Sequence, residues 1–134
     1  MTFIYANANA LKDMDKVGSH HCVALVQYYA NLPHTSRWKQ GEDVLGNHTL
    51  VLGTAIATFI NGRYPSNPHG NHAAFFLRHA PDGFWVIDQW KDKPGGEVRP
   101  ISERLIKCLH RKQKKNGSWP AASDNADAYS VIET

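Results

Sequence analysis

Residues 72 to 90 read HAAFFLRHAPDGFWVIDQW, and they narrow the choice of fold more than any other stretch. Two runs rich in Phe, Val, Ile and Trp, 72–79 and 84–90, flank Ala-Pro-Asp-Gly. Pro and Asp ahead of a glycine able to take positive φ make a tight reversal, so the spacing predicts an antiparallel hairpin. Upstream, in CVALVQYYA (22–30), Val23, Leu25, Val26 and Tyr29 recur at helical spacing, and Pro33 ends the segment. A helix followed by antiparallel strands is an α+β order rather than a βαβ alternation.

Elsewhere the pattern is weaker. Residues 1–16 predict an amphipathic lead-in with Leu11 and Met14 as its apolar contacts, and 34–49 predict irregular structure anchored by Trp38. TLVLGTAIATFI (49–60) stays open, its Thr and Ile favouring strand and its Ala favouring helix. Residues 61–71 carry the Gly, Pro and Asn of a loop, and 91–101, with Pro and Gly, read as another. SERLIKCLHRKQKKNG (102–117) reads equally as a short helix or a last strand. The polar residues after about 119 predict a flexible tail. With 134 residues, 42% of them hydrophobic, the chain suits one domain, 1–134, around one core.

No apolar run approaches the roughly 18 residues of a membrane span. MTFIYANANALKDMDK lacks the basic-then-apolar layout of a secretory signal, which predicts synthesis in the cytoplasm and export, if any, without a cleaved signal. Two cysteines, Cys22 and Cys108, cannot build a disulfide framework, and free thiols are expected. A net charge of +3 favours an anionic partner without choosing among anions.

Cys22 follows Gly18, Ser19, His20 and His21 at the first turn of the predicted helix. Unpaired backbone N–H groups and the positive end of the helix dipole favour a thiolate there. A packed thiol on the helix's apolar face is the alternative. A nucleophilic thiol needs a base, and the base needs a partner that fixes its tautomer. Of the eight histidines, His72 opens an apolar strand, where rigid sheet would hold it beside a cleft. Asp88, sixteen positions later in the next strand, is costly to bury unpaired, and a histidine on the neighbouring strand would pair it. A tight loop sets Asp88 roughly 13 Å along the strand from His72, whereas a wider loop or a bulge brings them together. Asp88 as a surface residue of an edge strand is the other possibility.

These residues resemble a family. Papain-like enzymes carry a cysteine at the head of a helix, then a strand opening with histidine, then Asn-Ser-Trp with the asparagine sixteen positions after the histidine. Here Asp88-Gln89-Trp90 stands at that separation, with aspartate for asparagine and Gln89 for serine. The length is that of the compact NlpC-type and CHAP-type cell-wall amidases. HHCVALVQYY, the Trp38–Gly41 segment, GTAIATFINGRYP, GNHAAFF and VIDQW are together similar to the type VI secretion amidase effectors, and to their third family in particular.

The resemblance implies a compact papain-like α+β fold and a cysteine peptidase acting on peptidoglycan. It implies Cys22 as nucleophile, His72 as acid and base, and Asp88 as the group orienting His72. Ser19, His21 and Gln89 are expected to support the oxyanion site, and no cofactor is implied. The implied bond is an amide of the stem peptide or the crosslink, foremost the crosslink bond between meso-diaminopimelate and D-alanine, with relatives cutting between D-glutamate and diaminopimelate. The implied partners are the peptidoglycan peptide, an immunity protein that plugs the cleft and a type VI delivery component, with action in the target cell's periplasm and no nucleic-acid partner.

Two other classes compete. His20, His21 and Cys22 beside His69 and His72 are zinc-competent, as a zinc-dependent hydrolase would require, although no HExxH or CxxC is present. RLIKCLHRKQKKNGSW (104–119) is basic and ends in an aromatic, as in a wall-polymer or nucleic-acid binding module.

Overall fold

Helix α1 (Cys22–Ala30) forms where the apolar spacing places it, and the backbone stops it as the sequence requires. Asn31 takes the left-handed conformation, φ 57°, and its N–H bonds back to the Gln27 carbonyl at 3.1 Å, closing the last turn two residues before Pro33. The computed structural model describes residues 2–65, 67 and 69–134. Six strands follow the helix: β1 (Lys39–Asp43), β2 (Ala55–Thr58), β3 (Ala73–Ala80), β4 (Gly83–Asp88), β5 (Ser102–Lys107) and β6 (Tyr129–Glu133). They form one antiparallel sheet in the order β1-β6-β2-β3-β4-β5, which gives the expected α+β class.

The sheet is buried on both faces. Ala55, Ala57, Ala73, Phe75, Leu77 and Ile87 pack with Leu25 and Val26 of α1, with Leu11 and with Trp38. Ile56, Ala74, Phe76, Phe84, Val86, Ile106 and Tyr129 form the second layer, closed by Val44 and Ala126. Burial on both sides removes the alternation that marks a strand, which is why 49–60 stayed open between helix and strand. β2 is the answer there, with all four residues buried.

Three expectations are corrected. The stretch 34–49 is not wholly irregular, since it contains β1, whose polar Lys-Gln-Gly-Glu-Asp lies at the sheet edge. Met14 is 46% exposed and makes no core contact of the kind Leu11 makes. The predicted flexible tail after residue 119 is a structural element, because β6 lies inside the sheet between β1 and β2, and Tyr129 and Ile132 are fully buried. Its short run follows the polar AASDNAD, and both faces are covered, so neither composition nor period exposes it. Of the 102–117 segment, 102–107 is strand.

Candidate active site

An irregularity in strand pairing brings His72 and Asp88 together. Near the turn, Ala80 faces Gly83, His79 faces Phe84 and Arg78 faces Trp85. Beyond Leu77 the register slips, so that Phe76 faces Val86 and Phe75 faces Ile87. On the first register Asp88 would stand beside Phe75 and point to the opposite side of the sheet from His72. The slip sets it beside Ala74 instead, on the face that His72 shares.

There His72 Nε2 and Asp88 Oδ2 are 2.8 Å apart. Asp88 is fully buried, and β4 lies between β3 and β5, so Asp88 is not on an edge strand. A carboxylate removed from water needs further partners. Arg104 of β5 donates through Nε to the same Oδ2 at 2.9 Å. Arg104 is held in turn by Asp124 Oδ1 at 2.7 Å and the Ser123 carbonyl at 3.4 Å, with its guanidinium 5.8 Å from the centre of the Trp90 ring.

Cys22 is the first residue of α1, and its N-cap, His21, makes no side-chain capping bond. The Ala24 amide of the first turn bonds to the His21 carbonyl at 3.1 Å, and the Cys22 amide at its head is the one offered to an anion. Burial works against the thiolate, while a hydrogen bond to His72 and the His72 charge favour it, and the net result holds the thiol below its usual range. The Ala73 amide and the Tyr64 hydroxyl add to this. For His72, burial alone would push the ring down; the bonds to Asp88 and Cys22 and their charges bring it up to about 9. With Nε2 on Asp88, the sulfur is left to the Nδ1 side of the ring.

Tyr64 also reaches the sulfur, its hydroxyl 3.8 Å from Sγ. Asn71 Nδ2 donates to the Tyr64 oxygen at 3.3 Å, which leaves the hydroxyl hydrogen free to turn toward Cys22. The Tyr64 ring sits edge-on to Trp38 at 4.8 Å, and burial followed by the nearby Cys22 charge keeps the phenol protonated. A cavity of about 330 Å³ opens beside His72, lined by Asn71, Trp90, Arg104 and Asp124 among others.

The three expected supporting residues differ in what they touch. Gln89 clamps the loop before the helix: Oε1 accepts from Val17 N–H at 3.1 Å, and Nε2 donates to the Val17 and His21 carbonyls at 3.1 and 2.8 Å. Ser19 Oγ accepts from the His21 amide at 3.4 Å, and both residues are exposed. Among the described residues, the group close enough to share a metal ion is Asp82, Cys108 and His110, at the turn end of the β3–β4 hairpin, and it contains none of His20, His21, Cys22, His69 or His72. Both cysteines are free, and Cys108 donates its S–H to Asp127 Oδ2 at 3.1 Å, a bond that pushes its thiol up.

Arg104 and Tyr64 escaped the sequence reading. A buried aspartate signals a countercharge, but only the pairing of β5 with β4, Arg104 opposite Val86 and Ser102 opposite Asp88, says which cation supplies it. Tyr64 sits in a Gly-Pro-Asn loop with no periodicity to point it anywhere.

A family model described as Domesticated amidase effector 2 matches residues 6–132. A Type VI secretion amidase effector 2 protein of Salmonella typhi is 48% identical over 138 residues, covering 99% of this chain and 100% of the relative. A Domesticated amidase effector 2 of Ixodes scapularis is 44% identical, covering 87% of this chain and 73% of the relative. A solved structure of type 6 secretion amidase effector 2 (Tae2) superposes with a TM-score of 0.89 at 47% identity, over 98% of this chain and 94% of that one.

The resemblance to type VI amidase effectors therefore holds, but these relatives are of the second family, not the third. The motifs compared run over residues 17–91 and build the cleft; Arg104 and β6 lie outside that span. Matched over nearly its whole length in sequence and in backbone shape, the chain belongs to the Domesticated amidase effector 2 family.

Proposed function

We propose that this protein is a cysteine amidase that hydrolyses amide bonds in the peptides of peptidoglycan, delivered as an antibacterial effector by a type VI system. The observation that carries the reading is the meeting of Cys22, His72 and Asp88 at the head of α1 and the start of β3. The names of the relatives, amidase effectors, supply the reaction class and the delivery route.

In this mechanism the Cys22 thiolate attacks the amide carbon, and the carbonyl π electrons move onto oxygen. The oxyanion is met by the Cys22 backbone N–H, at the N-terminus of α1, and by the Tyr64 hydroxyl. Collapse of the intermediate expels the amine, which takes the His72 proton, and leaves a thioester on Cys22. Neutral His72 then removes a proton from water, the hydroxide attacks the thioester, and the carboxylate product leaves as the thiolate returns. Asp88 holds the ring by Nε2 throughout.

The scissile bond in this reading joins meso-diaminopimelate to D-alanine in the crosslink. A periplasmic immunity protein that covers the cleft protects producing cells. Mass spectrometry of purified crosslinked muropeptides after digestion tests activity and bond together. Wild-type protein is expected to yield monomers, and Cys22→Ala to yield none while melting as the wild type does. Cleavage by the alanine variant would remove Cys22 from the mechanism.

A further inference from the structure

The carboxylate at position 88 is where this chain departs from the papain-like pattern, in which a neutral asparagine holds the histidine. With Cys22 as thiolate and His72 as imidazolium, an ionised Asp88 leaves the cluster one negative charge in excess. Asp88 is fully buried and His72 is 6% exposed, so that excess would be expensive. Arg104 supplies a positive charge to the very atom concerned. Its Nε lies 2.9 Å from Asp88 Oδ2, the oxygen that His72 Nε2 meets at 2.8 Å.

Arg104 is also built into place. Nη1 is 2.7 Å from Asp124 Oδ1 and Nη2 is 3.4 Å from the Ser123 carbonyl, which accepts from the Tyr129 hydroxyl at 2.7 Å as well. Asp124 does not cancel the arginine's effect inside the site, because its side chain is 69% exposed and screened by water while that of Asp88 is wholly buried. Charge then alternates along the cluster: Arg104 positive, Asp88 negative, His72 positive, Cys22 negative.

We infer that Arg104 is a positioning residue, and that the Arg104–Asp88 pair is an electrically neutral equivalent of a single asparagine that lets the Cys22–His72 ion pair form without net buried charge. The inference rests on the cysteine mechanism proposed above. Its consequence is reciprocal. Loss of Arg104 leaves Asp88 uncompensated and holds the proton on His72 too strongly. Loss of the Asp88 charge leaves guanidinium and imidazolium facing one neutral amide and weakens the imidazolium. Loss of both charges restores the balance. The other ionisable groups facing the cluster, Tyr64, Asp124 and Tyr129, stay the same in every variant.

The test is a double-mutant cycle on the full chain with Arg104→Gln, Asp88→Asn and the two combined, plus Arg104→Lys. Two quantities are read: the pH dependence of Cys22 alkylation by iodoacetamide, followed by peptide mass mapping, and kcat/KM on crosslinked muropeptides. The upper titration step of alkylation, set by His72 at about 9 in the wild type, is expected to move up in Arg104→Gln and down in Asp88→Asn. In the double variant it returns toward its original position. Each single variant is expected to lose about tenfold or more in kcat/KM, with the double exceeding both and Arg104→Lys exceeding Arg104→Gln.

An Arg104→Gln profile that does not move, or losses that simply multiply in the double variant, would overturn the inference. Should Arg104→Gln fail to fold, a folded, alkylation-competent double variant supports the neutral pair, and one that is unfolded or as inactive as Asp88→Asn refutes it. Alkylation requires no peptidoglycan. A coupled titration in a protein that leaves muropeptides intact would therefore sink the amidase reading and spare this one.

Discussion

At Cys22 three influences compete, and their balance decides what the sulfur is. Burial disfavours the thiolate, the His72 bond and charge favour it, and hydrogen bonds from the Ala73 amide and the Tyr64 hydroxyl favour it further. The second thiol shows the opposite outcome, since the Asp127 carboxylate accepting from Cys108 pushes that group up. In the proposed mechanism the catalytic form requires thiolate and imidazolium together. It exists below the point at which His72 loses its proton, about 9, and above the lowered titration of Cys22. The expected profile of kcat/KM is therefore a bell whose upper limb falls near pH 9, where His72 no longer has a proton for the leaving amine. A rate that keeps rising through pH 10 would show that His72 is not the acid. Tyr64 offers a second test at this scale. Tyr64→Phe keeps the ring against Trp38 and removes only the donor 3.8 Å from Sγ, so kcat should fall about 10²-fold with little change in melting temperature. A loss below about threefold would take the hydroxyl out of the oxyanion site.

Among the elements, the β3–β4 hairpin shows what could and could not be read in the sequence. The two strands and their Ala-Pro-Asp-Gly turn were legible, because turn chemistry and β-branched and aromatic content agree there. Their register was not, since one extra residue at Leu77 reverses which side Asp88 faces and no residue in FFLRH announces it. The helix was legible to its ends for the opposite reason: its period, its following Pro33 and its polar approach all agree. β6 was illegible, being five residues buried on both faces behind a polar lead. Because it joins β1 to β2 and carries the fully buried Tyr129 and Ile132, removing residues 120–134 should abolish the cooperative thermal transition. A truncated protein that melts as the intact one does would mean that the sheet tolerates an open centre.

Over the whole molecule, the sheet acts as a frame that gathers groups distant in sequence. Position 22 heads the helix packed on one face, 72 immediately precedes β3, 88 ends the neighbouring β4, and 104 comes from the strand at the far edge. Residue types and spacing made the first three readable as a set, since a cysteine, a histidine and an acid at those positions resemble one known cleft. The fourth needed the sheet order, which short connections through loops do not disclose. The mild excess of basic residues, +3, fits a substrate that carries free carboxylates but does not select it. The most direct measurement is rapid acid quenching of the protein during turnover of crosslinked muropeptides, followed by mass mapping of its cysteine peptides. A peptide-derived acyl group on Cys22 and none on Cys108 is the expected result. Hydrolysis that continues while Cys22 is never found modified would contradict the account.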